Sequence, residues 1–136
     1  MSSASEKYLS QWLEKAGHDL LAARLILDHN PIILDIACFH CQQAVEKYLK
    51  AFLVFKNEAF PQTHNLDLLL QLCRKHDNNF DDIDLKNLED FAVRGRYPHD
   101  FISPEPEESE LFYQDAVIVK TIVSKKIQEK YPAIQG

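Results

Sequence analysis

With 136 residues, 46% of them hydrophobic, the chain is long enough to bury one core of ordinary size and too apolar to stay disordered. Its formal net charge of −6 speaks against an indiscriminate nucleic-acid binder, and the absence of any run near ~18 apolar residues excludes a membrane-spanning helix. Only 3 glycines and 6 prolines leave few places to turn, which favours a few long helices over many short strands.

The opening MSSASEKYLSQW has no basic start followed by an apolar core, so no secretory signal is read there and a cytoplasmic location is expected. Cys38, Cys41 and Cys73 are an odd number of thiols. Without a second ligand pair at metal-binding spacing, they read as small buried hydrophobes rather than a disulfide or zinc site. Neither a metal nor a cofactor is expected. Charge is uneven: acid gathers at residues 77–84 and 105–115, base at Lys47, Lys50 and Lys56, at Arg94 and Arg96, and over residues 120–130.

Residues 5–29 read as a first helix capped by Ser5, with Tyr8, Leu9, Trp12, Leu13, Ala16, Leu20, Ala23, Ile26 and Leu27 on one face. Asp19 falls inside that face. A carboxylate there is costly unless paired, so it either bonds a neighbouring helix or orients a cation or histidine of a site.

Asn30 and Pro31 are expected to cap and start a second, antiparallel helix over 31–56, the organising element of the chain. Leu34, Ala37, Cys41, Ala44, Val45, Tyr48, Leu49, Phe52 and Phe55 form its apolar arc. Asp35, His40, Gln42, Gln43, Glu46, Lys47 and Lys50 form the polar one. Within the latter, His40, Gln43 and Lys47 at i, i+3, i+7 make one row, which reads as a wall facing a site or a second subunit.

Thr63 is expected to cap a third helix carrying Leu66, Leu69, Leu70 and Cys73, with His64 exposed in its first turn; residues 77–82 read as a loop. A fourth helix over 83–96 buries Leu85, Leu88 and Ala92 and stops at Pro98. After an irregular loop over 98–106, Ser103 and Pro104 signal a fifth helix to about residue 130. Its stripe is Leu111, Phe112, Ile118, Val119, Ile122 and Val123, with Asp115 a second carboxylate inside the stripe. The expectation is a single all-α domain over 1–136, an up-and-down bundle of four to five helices.

Arg94, Arg96 and His99 lie together where the fourth helix runs into a loop. An imidazole can move a proton near neutral pH, and a guanidinium can grip phosphate oxygens and stabilise charge developing on phosphorus. These are the minimal parts of metal-free RNA cleavage. A buried polar network of Asp19, Asp115, Arg96 and His40, fixing helix register, is the other use these groups could serve.

The order FHCQQAVEKYLKA, with His40, Gln42-Gln43, Ala44, Glu46-Lys47 and Leu49-Lys50-Ala51, resembles the second-helix signature of the HEPN domain family. Thr63-His64-Asn65-Leu66, the Arg96-Tyr97-Pro98 turn, an acidic run opening the last helix, and Asp19-Leu20 resemble the family's remaining pattern in order. The resemblance implies a helical bundle that dimerises and binds RNA or a nucleotide. Many members are metal-independent ribonucleases acting as toxins, and others pair with a minimal nucleotidyltransferase. Arg94 and His99 match the Arg-x4-His spacing of the ribonuclease members, which makes them the catalytic candidates. Arg96, His40, Gln43 and Lys47 are then candidates for binding substrate or nucleotide, and Asp19, Glu46 and Asp115 for supporting them. Phe101 stands where nucleotidyltransferase-paired toxins carry a tyrosine that can be adenylylated. The alternative reading is a non-catalytic, nucleotide-binding or accessory subunit of a minimal nucleotidyltransferase.

Overall fold

A computed structural model of the chain describes residues 3–94 and 103–135. Helix α1 spans Ser3–His29 and α2 spans Leu34–Phe55; α3 spans Leu66–Arg74, α4 Lys86–Arg94 and α5 Pro106–Lys130. No strand occurs among the described residues, so the expected all-α bundle is the observed one. No helix among them is long and apolar enough to cross a membrane.

Leu9, Leu13, Ala16, Leu20 and Ala23 recur along α1 at helical spacing, and all are buried. The helix extends past Ser5, which lies inside it rather than at its cap. Asn30 and Pro31 do not open α2. The Ile33 amide donates to the Asn30 carbonyl at 3.2 Å, so Pro31 occupies the second position of a tight turn, a place its fixed φ suits as well as a helix start. Helix α2 then begins at Leu34, its first amides accepted by the Ile33 carbonyl.

From Ala44 to Leu53 helix α2 is buried nearly all round, Lys47 alone being half-buried. It is the axis of the bundle, with α1, α3, α4 and α5 packed around it. Gln42, Glu46 and Lys50, expected on a solvated polar arc, are therefore inside. The helix ends through Asn57 in the left-handed region, φ 57°, with the Glu58 amide reaching back to the Leu53 carbonyl at 2.9 Å. Asparagine tolerates that conformation better than most residues.

Asn65, not Thr63, caps α3: its side chain accepts from the Leu68 amide at 3.0 Å, while Thr63 Oγ1 accepts from the Asn65 amide at 3.0 Å. The acidic 77–82 stretch is more ordered than a plain loop. Asp77 caps a short 3-10 turn, Asn78–Phe80, that drives Phe80 against Phe52, ring centroids 4.7 Å apart. Arg74 fastens this turn by donating to the carbonyls of Phe80 and Ile83 at 3.1 and 2.8 Å.

Helix α4 starts three residues later than expected, at Lys86, with Leu85, Leu88 and Phe91 buried. In α5 the buried line is Phe112, Ala116, Val119, Val123 and Ile127, with Ser109 and Ser124 beside it. Leu111 and Ile118, expected in that stripe, are 65% and 50% exposed. The stripe is centred on Phe112, and Leu111 lies about 100° round the helix from it. Helix α4 runs from the end of the bundle where Lys126 meets Asp77 (3.2 Å) towards the end where the Cys38 thiol meets Ser109 Oγ (3.4 Å). On the way Phe91 packs on Phe112, centroids 5.7 Å apart, one turn of α5 from Ser109.

Candidate functional site on the outer face of the central helix

The half-buried carboxylate of Asp19, 13% exposed, projects from α1 onto α2 and takes two partners there. Oδ1 lies 2.9 Å from His40 Nδ1, and Oδ2 accepts from the Lys47 ammonium. A carboxylate can only accept, so Nδ1 of His40 carries the proton in this bond. Asp19 thus joins two helices, and the same bonds set an imidazole beside a cation. Gln43, one turn from each, is half-buried between them in the row.

A second carboxylate governs the other edge of the same face. Glu46, 4% exposed, has Oε2 3.1 Å from Lys50 Nζ and Oε1 2.9 Å from His64 Nδ1. Lys50, 9% exposed, is held inside the protein with its ammonium 5.6 Å over the Trp12 ring and 6.0 Å over Phe60. That placement supplies attraction from the ring faces as well as from Glu46. His64 is the opposite case, 73% exposed yet anchored on a buried acid.

Two imidazoles therefore border α2, His40 on the helix itself and His64 from the segment before α3, each bonded to a carboxylate. A lysine shares the first carboxylate, and a second lysine sits beneath the other. Imidazole and ammonium groups of this kind can donate hydrogen bonds to the oxygens of a phosphate. Among the described residues, no three His, Cys, Asp or Glu side chains are grouped so as to hold a metal ion.

The sequence-level candidates are only partly united. Asp19, His40 and Lys47 come together. Glu46 does not support them, because it faces Lys50 and His64. Asp115 is not in their network either: it lies on α5, where burial and then the like charge of Asp84 hold its carboxyl above the ordinary carboxylate range. A carboxyl whose folded pKa is raised favours folding while protonated, and that contribution is lost as pH rises through the folded value. Asp115→Asn is accordingly expected to leave stability near pH 7 equal to or above that of the parent. The difference should close as pH falls below about 4. Urea midpoints across that range check this; a variant less stable at neutral pH refutes it.

Arg94 closes α4, while Arg96 and His99 lie outside the described residues. Sequence reading missed His64 as a partner of Glu46, and it missed the clamp formed by Arg24. That guanidinium bridges Asp28 (2.8 Å) and Glu110 (2.7 Å) and lies 4.7 Å over the Tyr113 ring, tying the end of α1 to the start of α5. The hydrogen bond from Arg24 is the main cause holding Glu110 below the usual carboxylate range. The three cysteines are buried and in no disulfide, and burial pushes the thiols of Cys41 and Cys73 up to about 12, so these two stay protonated at neutral pH.

No curated protein matches the chain. A family sequence model does: the HEPN domain, over residues 9–127. That span runs from the core of α1 to the last buried turn of α5 and takes in Asp19, His40, Glu46, Lys47 and His64, so the chain belongs to the HEPN domain family.

Proposed function

We propose that this protein is a cytoplasmic, homodimeric, RNA-directed HEPN protein, one half of a toxin–antitoxin-like or nucleotidyltransferase-associated pair, and that it cleaves RNA without a metal. The observation that supports this reading is the Asp19–His40–Lys47 cluster between α1 and the outer face of α2. In the reaction, His99 takes the proton of an RNA 2′-hydroxyl, whose oxygen attacks phosphorus. The bond to the 5′-oxygen breaks, and that oxygen is reprotonated. Arg94 stabilises the charge on the phosphorane and Arg96 positions the phosphate. The row His40, Gln43, Lys47 binds the flanking backbone. Exposed Ile32, Ile33, Ile36 and Phe39 at the start of α2 support self-association.

The row also supports a second reading, a nucleotide-binding accessory subunit without catalysis, because an oriented imidazole and a lysine suit a nucleoside phosphate equally well. One set of measurements separates the two. Purified protein is incubated with RNAs of varied sequence in excess chelator, and ATP binding is titrated in parallel. Fragments ending in a 2′,3′-cyclic phosphate and a 5′-hydroxyl are expected. RNA left intact throughout, with saturable ATP binding, would transfer the assignment to the accessory subunit; neither result would leave both readings without support.

A further inference from the structure

On the opposite side of α1 from Asp19, a groove of about 670 Å³ opens between α1 and α5, closed at one end by the C-terminal segment. We propose that it is a binding site for a small monocarboxylate with an apolar body.

The floor is Tyr48, which is fully buried, and whose hydroxyl has no hydrogen-bond partner among the described residues. A buried hydroxyl is ordinarily paired, and leaving one unpaired is costly. Burial, then the nearby Tyr113, pushes its pKa up to about 12, so it stays a donor throughout the neutral range.

Gly17 forms the wall directly above it. A glycine inside a helix weakens that helix relative to alanine, and here the fold gives no reason for one. A Cβ at this position would stand 3.8 Å from the Tyr48 hydroxyl, an ordinary contact. What glycine does is keep any side chain of this position from standing against the hydroxyl.

On the facing wall, Lys120 of α5 is half-buried and without a polar partner among the described residues, and Lys7 stands at the rim. Leu13 and Ile134 supply apolar surface. Donors without acceptors call for an anion. Glu6 and Glu14, also at the rim and the latter only 3.9 Å from His18, penalise a dianion more than a monoanion. A carboxylate satisfies Tyr48 and Lys120 while its hydrocarbon lies on Leu13 and Ile134.

Sodium benzoate is the probe, titrated at constant ionic strength and followed by amide chemical shifts, with benzamide and inorganic phosphate as comparisons. Saturable shifts confined to the groove are expected. Benzamide should bind at least about tenfold more weakly, since it lacks the charge that Lys120 meets. Tyr48→Phe should weaken benzoate by about fivefold yet leave the unligated protein as stable as before, because no bond is lost in its absence. Lys120→Met should weaken it by about tenfold, and Gly17→Leu, checked for folding by circular dichroism, should abolish it. Benzoate that does not saturate, benzamide that binds equally, phosphate that binds more tightly, or full affinity in Tyr48→Phe each overturns the proposal.

Discussion

Replacing Glu46 by alanine is expected to cost about 3–5 kcal/mol, the toll of stranding a buried charge. For a domain of this size that is a fall of roughly 10–20 °C in Tm. The reason is Lys50. Its ammonium lies among Trp12, Phe60 and α2 itself, nearly out of reach of water, and Glu46 at 3.1 Å is its counter-charge. Without Glu46 the cation must stay buried and unpaired or pull its helix face outward.

The pair as a whole is a different matter, since desolvating both ions offsets much of their attraction. Glu46→Leu with Lys50→Met should therefore recover most of what Glu46→Ala loses. His64→Ala should cost far less than Glu46→Ala, because its ring is largely in water. Thermal and urea unfolding of the three variants decide this. A loss below about 1 kcal/mol for Glu46→Ala would show that water reaches Lys50 after all.

The same residue marks the limit of what the sequence discloses. Hydrophobic periodicity identifies the helices and assigns α2 the organising role, because i, i+3, i+4 spacing is a property of one helix and needs no knowledge of its neighbours. It misplaces Gln42, Glu46 and Lys50 because burial of a central helix is set by how many elements surround it. Charge on a helix says nothing of that number. Asp19 was legible as an anomaly, a carboxylate in an apolar face, and its partners His40 and Lys47 were legible as a row. What linked them was the antiparallel packing of α1 on α2.

His64 had no comparable signal. Its bond to Glu46 spans 18 residues and a loop, and nothing in local spacing reports it. The capping errors have a chemical origin. Asn30-Pro31 and Thr63-His64-Asn65 each contain more than one residue able to end or start a helix, and tertiary packing chose among them. Leu111 and Ile118 are apolar at helical spacing but belong to the exposed side of α5. Periodicity finds a stripe without telling which of two is covered.

Cleavage and binding should separate between His99 and Lys47. His99→Ala is expected to lower RNA cleavage by about 10²–10⁴-fold, the usual worth of a positioned proton carrier. RNA affinity and the unfolding midpoint should remain at parental values. Lys47→Met should do the reverse. If its ammonium meets an RNA phosphate, losing it lowers the slope of log affinity against log salt by about 0.7 for a single strand, without moving the pH profile of cleavage.

Asp19→Asn completes the comparison, because it keeps the shape of the side chain but removes the charge that holds Lys47 and His40. Stability should fall by about 1–3 kcal/mol as charge-assisted bonds become weaker ones. Binding should strengthen with the local charge now more positive, and cleavage should decline as His40 loses its orientation. Cleavage unchanged in His99→Ala would remove that residue from the reaction. An unaltered salt slope in Lys47→Met, with only stability affected in Asp19→Asn, would reduce the row on α2 to a device that fixes the register of α1 against α2. The two outcomes are independent, which is why the proton carrier and the anchored row have to be tested apart.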